Sequence, residues 1–199
     1  MTIPNLMTAY QKQQTEARLK QAYSTLANAI RLSESDNGNL DIPTEMGMYN
    51  HDLHLVFQES IAPYLAGASR VSNNQLTWTG QNTAGIETGM LNFKKGIHCL
   101  NSGLCFYMMN HHHNYIYIIV DLNGISKPNR AGRDIFYFAL HPKDSGTVLD
   151  GLVYGINAQS PKEKLLEGCN KTSTDWSNGS TCTELIKRNS WKIPKDYPW

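Results

Sequence analysis

The stretch NLMTAYQKQQTEARLKQAYSTLANAIRLSES, residues 5–35, decides how the fold is read. Leu19, Tyr23 (with Ala22), Leu26 and Ile30 (with Ala29) recur at steps of three and four, the period of a helix. Lys12, Arg18, Lys20 and Arg31 stand among Gln and Glu on the other faces. Pro4 is tolerated in a first helical turn, and Ser-Asp-Asn-Gly at 35–38 closes the run, with Gly38 as its C-terminal cap. A helix of roughly thirty residues spans about 45 Å, more than most globular helices. Its apolar stripe is convincing only in the second half. The expectation is a helix whose C-terminal half docks on a domain while its other half projects.

Downstream, Leu53, Val56, Phe57, Ile61, Tyr64 and Leu65 supply the apolar side of a second helix over Asn50 to Leu65, with Pro63 disturbing its last turn. Past Gly67 the period changes. Short β-rich runs at Leu76–Thr79, Gly89–Phe93, Leu104–Met109, Tyr115–Asp121 and Asp134–Leu140 are separated by Asn and Gly. Tyr115, Tyr117 and Ile119 face one way and Ile116, Ile118 and Val120 the other, so both faces of that run are buried or half-buried. It and Asp134–Leu140 are the central strands of an antiparallel sheet, one face packing on the long helix. The remainder from Pro142 is irregular, with short strands at most. The fold class is α+β, with helices first and sheet second.

The chain of 199 residues is long enough to bury a real core. Its formal charge of +1 gives no overall push toward nucleic acid or anionic membrane. Charged residues are 18% of the total, and Asn, Ser, Thr and Gly carry much of the polar surface. Four cysteines, Cys99, Cys105, Cys169 and Cys182, form no C-x-x-C, which argues against a zinc knuckle or a thioredoxin-like motif. An even count in this setting fits an exported protein with two disulfides. Of three pairings, Cys99 with Cys105 and Cys169 with Cys182 is favoured, because each pair brackets a short Gly-containing loop. There is no signal peptide and no apolar run long enough to span a bilayer. The opening residues read as mid-helix material.

Three segments carry a family resemblance. Thr2 to Gly38 resembles the part of a type IV pilin or type II secretion pseudopilin that follows its membrane-spanning segment. Val120 to Leu140, VDLNGISKPNRAGRDIFYFAL, resembles a sheet motif of one bacterial branch of these proteins. Trp191 to Trp199, WKIPKDYPW, resembles that branch's ending. The resemblance implies a pilin-like single domain: helix 1–37, a connecting segment 38–70 with the second helix, sheet 71–141, and a variable, disulfide-bounded region 142–199. It implies a preceding hydrophobic helix, cleaved by a prepilin peptidase and methylated at the new terminus, which this sequence lacks. It further implies a non-enzymatic structural subunit of a surface filament or periplasmic pseudopilus, anchored in the inner membrane before assembly. The partners would be other copies of itself, related subunits and the inner-membrane assembly machinery. Leu19, Tyr23, Leu26 and Ile30 would then serve packing and assembly. The alternative is a minor or tip pilin acting as a binding module for adhesion, DNA uptake or a secreted substrate.

Individual residues suggest other chemistries. Asp121, Asn123, Asn129 and Asp134 offer oxygen atoms to calcium, which some pseudopilins hold in a loop. The EF-hand spacing and terminal Glu are missing, so turns stabilised by side-chain-to-backbone hydrogen bonds are the stronger reading. No cofactor is otherwise expected. His111, His112 and His113 read as an exposed hairpin turn, because adjacent strand residues alternate faces and do not converge on one ion. Neither G-x-S-x-G nor H-E-x-x-H occurs. Lys12, Arg18, Lys20 and Arg31 would give a basic stripe, joined by Lys94, Lys95, Lys187, Arg188 and Lys192, but a solvated helix face explains the first group better than nucleic acid. Trp191, Ile193, Tyr197 and Trp199 are too apolar for a free tail and are expected to dock on the domain.

Overall fold

The computed structural model describes residues 3–40, 53–67, 69–70, 78–93, 97–110, 115–124, 126–143, 145–153 and 155–199. The opening stretch is a single helix, α1 (Ile3–Asn37), of 35 residues, about 52 Å long at 1.5 Å per residue. Ala, Leu, Gln, Lys and Glu favour that state over most of its length. It stops at Gly38, whose φ of +81° is open to glycine and whose N–H donates to the Glu34 carbonyl at 3.0 Å. The C-terminal cap expected from the sequence is therefore present. Among the described residues no helix is long and apolar enough to cross a membrane.

The second helix begins as α2 (Leu53–Val56) and runs on through a π turn (Phe57–Ile61) and a 3-10 turn (Ala62–Tyr64). Residues 50–52 of the expected helix lie outside the described residues. Pro63 has no N–H to donate, so a regular ladder fails there. The Ala62 N–H reaches back to the Phe57 carbonyl, and the chain then tightens. Leu53, Phe57, Ile61 and Leu65 are buried against the core.

Among the described residues eight strands follow: β1 (Ser69–Arg70), β2 (Trp78–Gln81), β3 (Glu87–Phe93), β4 (His98–Cys99), β5 (Cys105–Asn110), β6 (Ile116–Asp121), β7 (Ile135–His141) and β8 (Val148–Asp150). Six form one sheet in the order β1-β4-β5-β6-β7-β8, and β2 and β3 form a separate pair. The six pairings between these strands are antiparallel. The two strongest β runs of the sequence are neighbours, β6 and β7, with Ile116 opposite Leu140 and Asp121 opposite Ile135. All six residues of β6 are buried. One sheet face, with Phe106, Met108, Ile116, Ile118, Val120, Phe136, Phe138 and Leu140, shares a core with Leu19, Leu26 and Ile30 of α1. The other face gathers Tyr115, Tyr117, Ile119, Tyr137, Ala139 and Val153 into a second cluster.

The region after Pro142 corrects the sequence reading. Besides the short strand β8 its described residues hold two helices, α3 (Lys162–Glu167) and α4 (Cys182–Arg188). Six and seven residues are too few for a helical period to show in sequence. They are helical because Leu165, Leu185 and Ile186 find the core and because Glu184, Lys187 and Arg188 suit the two ends of the α4 dipole. Both favoured disulfides are present. Cys99–Cys105 joins opposed residues of β4 and β5, and Cys169–Cys182 ties the loop after α3 to the start of α4.

Candidate functional site: two halves of one helix and the elements that hold them

Buried positions on α1 begin at Thr15 and continue through Leu19, Ala22, Leu26, Ala29 and Ser33, in steps of four, three, four, three and four, a seam that keeps one helix face on the domain. Ile30 is also buried. Tyr23 is half-buried, its ring 5.9 Å from Phe138 and 5.0 Å from Trp191, with the Lys187 ammonium 5.9 Å from its centroid. The four packing residues expected from the sequence thus all face the domain. Before Thr15 the picture reverses: Leu6, Met7 and Tyr10 are 61%, 59% and 60% exposed.

The seam's edges are polar and were not legible in the periodicity. The Thr15 hydroxyl donates to the Arg133 carbonyl at 3.1 Å, and the Arg18 guanidinium donates to the Ser102 carbonyl at 2.7 Å. Glu16 accepts from the Ile193 amide at 2.9 Å and from the Lys192 ammonium at 2.8 Å. The supposed basic stripe is dispersed by these partnerships. Lys12 lies against Trp199, Arg188 is engaged by Glu184 and the Ser160 and Asn157 carbonyls, and Lys20 and Arg31 are exposed. Lys94 and Lys95 lie outside the described residues, as do His111, His112 and His113.

The aromatic segment at 191–199 docks as expected. Trp191, Ile193 and Trp199 pack against the core and Tyr197 is part of it. The Tyr197 hydroxyl donates to the Gly132 carbonyl at 2.6 Å. Gly132 has φ +80°, and a Cβ there would come within 2.8 Å of Cys182 Sγ and 2.9 Å of the Tyr197 hydroxyl.

In the β6–β7 connection the acidic residues act chiefly on the backbone. Asp121 Oδ1 accepts from the Asn123 amide at 2.9 Å. The Asp134 carboxylate accepts from the amides of Asn129 and Arg130 at 2.8 and 2.5 Å. These are the turn bonds the sequence suggested. Asp121 Oδ2 and Asn123 Oδ1 are buried without a hydrogen-bond partner. Calcium takes six to eight oxygens, more than these two side-chain atoms supply. Among the described residues, no group of three or more His, Cys, Asp or Glu is placed to hold a metal. Burial, and after it the neighbouring Asp134 charge, pushes the Asp121 carboxyl up to about 8, against the Asn123 and Gly124 amides and Arg18. Burial also raises Asp134.

One cleft was missed by sequence reasoning. It has a volume of about 460 Å³ and is lined by Tyr115, His141, Lys143, Asp150, Leu152, Val153, Gly155, Ile156 and Asn157. His141 Nε2 lies 3.2 Å from Asp150 Oδ1, which also accepts from the Leu152 amide at 2.8 Å. Among the described residues the lining holds no Ser, Thr or Cys, and its further polar groups are Tyr115, Lys143 and Asn157. The pair becomes visible only when β7 and β8 are aligned, since nine residues of sequence separate its members.

No curated protein and no solved structure matches the chain. A family model does, over residues 5–199. The chain belongs to DUF6613, a family of unknown function.

Proposed function

We propose that the chain is a structural subunit, a pilin or pseudopilin, of a bacterial type IV pilus or type II secretion-like filament, assembled through its N-terminal helix. The observation that carries this reading is the change of burial along α1. The docked seam stops at Thr15, while the same helix continues for three more turns bearing exposed Leu6, Met7 and Tyr10. A helix that extends past its own domain with apolar side chains in water is suited to packing against other chains. The resemblance of Thr2–Gly38, Val120–Leu140 and Trp191–Trp199 to pilin-like proteins supports the same reading. In it, a hydrophobic segment preceding residue 1 anchors the subunit in the inner membrane and then joins a filament core, with the α+β domain facing outward.

A second reading, a minor or tip subunit that binds a ligand, draws on Trp176. This large side chain is 58% exposed on the loop closed by Cys169–Cys182. The loop is held by bonds from the Ser177 amide to Asp175 and from the Asn178 side chain to the Asn170 and Ser173 carbonyls.

Immunogold electron microscopy of the native host, with antibodies raised against this chain, tests both. Gold along surface filaments, lost on gene deletion, is expected for a major subunit. Gold restricted to tips selects the second reading. Gold on no filament, together with a periplasmic or envelope fraction free of the protein, rejects both.

A further inference from the structure

The segment from Trp191 to Trp199 does more than close the core. It runs antiparallel to α1, meeting Tyr23 through Trp191 at 5.0 Å, then Glu16 through Lys192 and Ile193, and finally Lys12 through Trp199 at 5.7 Å. From Tyr23 to Lys12 is about 16 Å of helix. The Trp199 ring also receives the Arg133 guanidinium, 5.5 Å from its centroid, and Arg133 is the residue whose carbonyl accepts from Thr15. The segment is itself fastened at both ends of its path. The Trp191 amide donates to the Ile186 carbonyl at 2.9 Å, and the Tyr197 hydroxyl to Gly132.

We propose that residues 191–199 are a clamp that fixes where the long helix leaves the domain, and so sets the length and direction of its projecting half. The contacts divide the helix. From Leu19 onward, apolar burial on the sheet holds it. Ahead of Arg18, the partners of Lys12, Thr15 and Glu16 are the clamp and Arg133, which the clamp covers. With the clamp in place the helix is held as far as Lys12; with it released the hold ends near Arg18. Release need not open the sheet, because the clamp pairs with none of the described strands and its outer contacts are at the surface, Lys192 being 69% exposed. The clamp acts in this way whether or not the chain builds a filament.

Hydrogen exchange read by mass spectrometry on the full chain tests it, comparing the wild type with Trp199→Ala, Trp199→Phe and Glu16→Gln. For Trp199→Ala, exchange at residues 12–17 is expected to rise about tenfold, while β6 and β7 change less than about twofold, as a local opening requires. Trp199→Phe, which keeps a ring for both cations, should restore most of the protection. Glu16→Gln, which keeps the shape but loses the charge, should give a smaller rise in the same peptides. Unchanged exchange at 12–17 in Trp199→Ala overturns the proposal. So does an equal rise in helix and strands, or a Trp199→Ala chain that fails to fold, since either shows that the Trp199 contacts open only with the whole domain.

Discussion

The two halves of α1 have similar helix-forming residues and very different surroundings. From Thr15 to Ser33 the helix is a wall of the core, with seven positions buried, six of them at heptad-like spacing. From Ile3 to Gln14 it stands outside, though Leu6, Met7 and Tyr10 are no less apolar than the residues that are buried. The contrast teaches that apolar content does not decide burial; register with a partner surface does. In the docked half, apolar side chains recur on the face that meets Phe138 and its neighbours. In the projecting half they lie elsewhere on the helix, with the Gln14 side chain donating to the Tyr10 hydroxyl at 2.8 Å.

Substitutions that sharpen this comparison should differ widely in size. Leu26→Ala empties a site with no solvent exposure and should cost about 2–5 kcal/mol in urea unfolding. A loss below about 1 kcal/mol would mean that the docked half is not a core element. Removing the Cys169–Cys182 bond by Cys169→Ser with Cys182→Ser should cost about 2–4 kcal/mol, somewhat less than the larger core truncations, with α1 still helical by circular dichroism.

The third effect depends on pH. Asp121 is shifted from 3.8 to about 8, by burial first and by Asp134 after it, so the folded chain keeps a proton that the unfolded chain gives up. The stabilisation is full below the unfolded value near 4 and is lost as pH rises through about 8. Unfolding midpoints measured between pH 4 and 9 should fall with rising pH, and Asp121→Asn should flatten that slope. Millimolar calcium should leave the midpoint unchanged; a clear rise with calcium would return the ion to the loop. Smallest of all, Leu6→Ser or Tyr10→Ser should change stability by no more than about 0.5 kcal/mol. In the host the same changes should reduce filament assembly, and a stable chain that assembles normally would detach the projecting half from the proposed function.

Much of this architecture could be read in advance. The helix shows because it is long enough for its period to repeat, and β6 and β7 show because Ile, Val, Tyr and Phe crowd them. The cysteine pairs show because each closes a short loop. What stayed hidden depends on distant partners. Thr15 and Glu16 look like ordinary solvent-facing residues until Arg133, Lys192 and Ile193 are brought beside them. Helices α3 and α4 are shorter than two full turns and are fixed by the core and a disulfide more than by pattern. His141 and Asp150 meet only across the β7–β8 ladder.

The six-stranded sheet ends in β1 on one side and β8 on the other, strands of two and three residues. Such stubs offer a newcomer too few free N–H and C=O groups to extend the ladder by another molecule's strand. At those two strands edge-on recruitment, the route by which β proteins run together into fibres, finds little to build on.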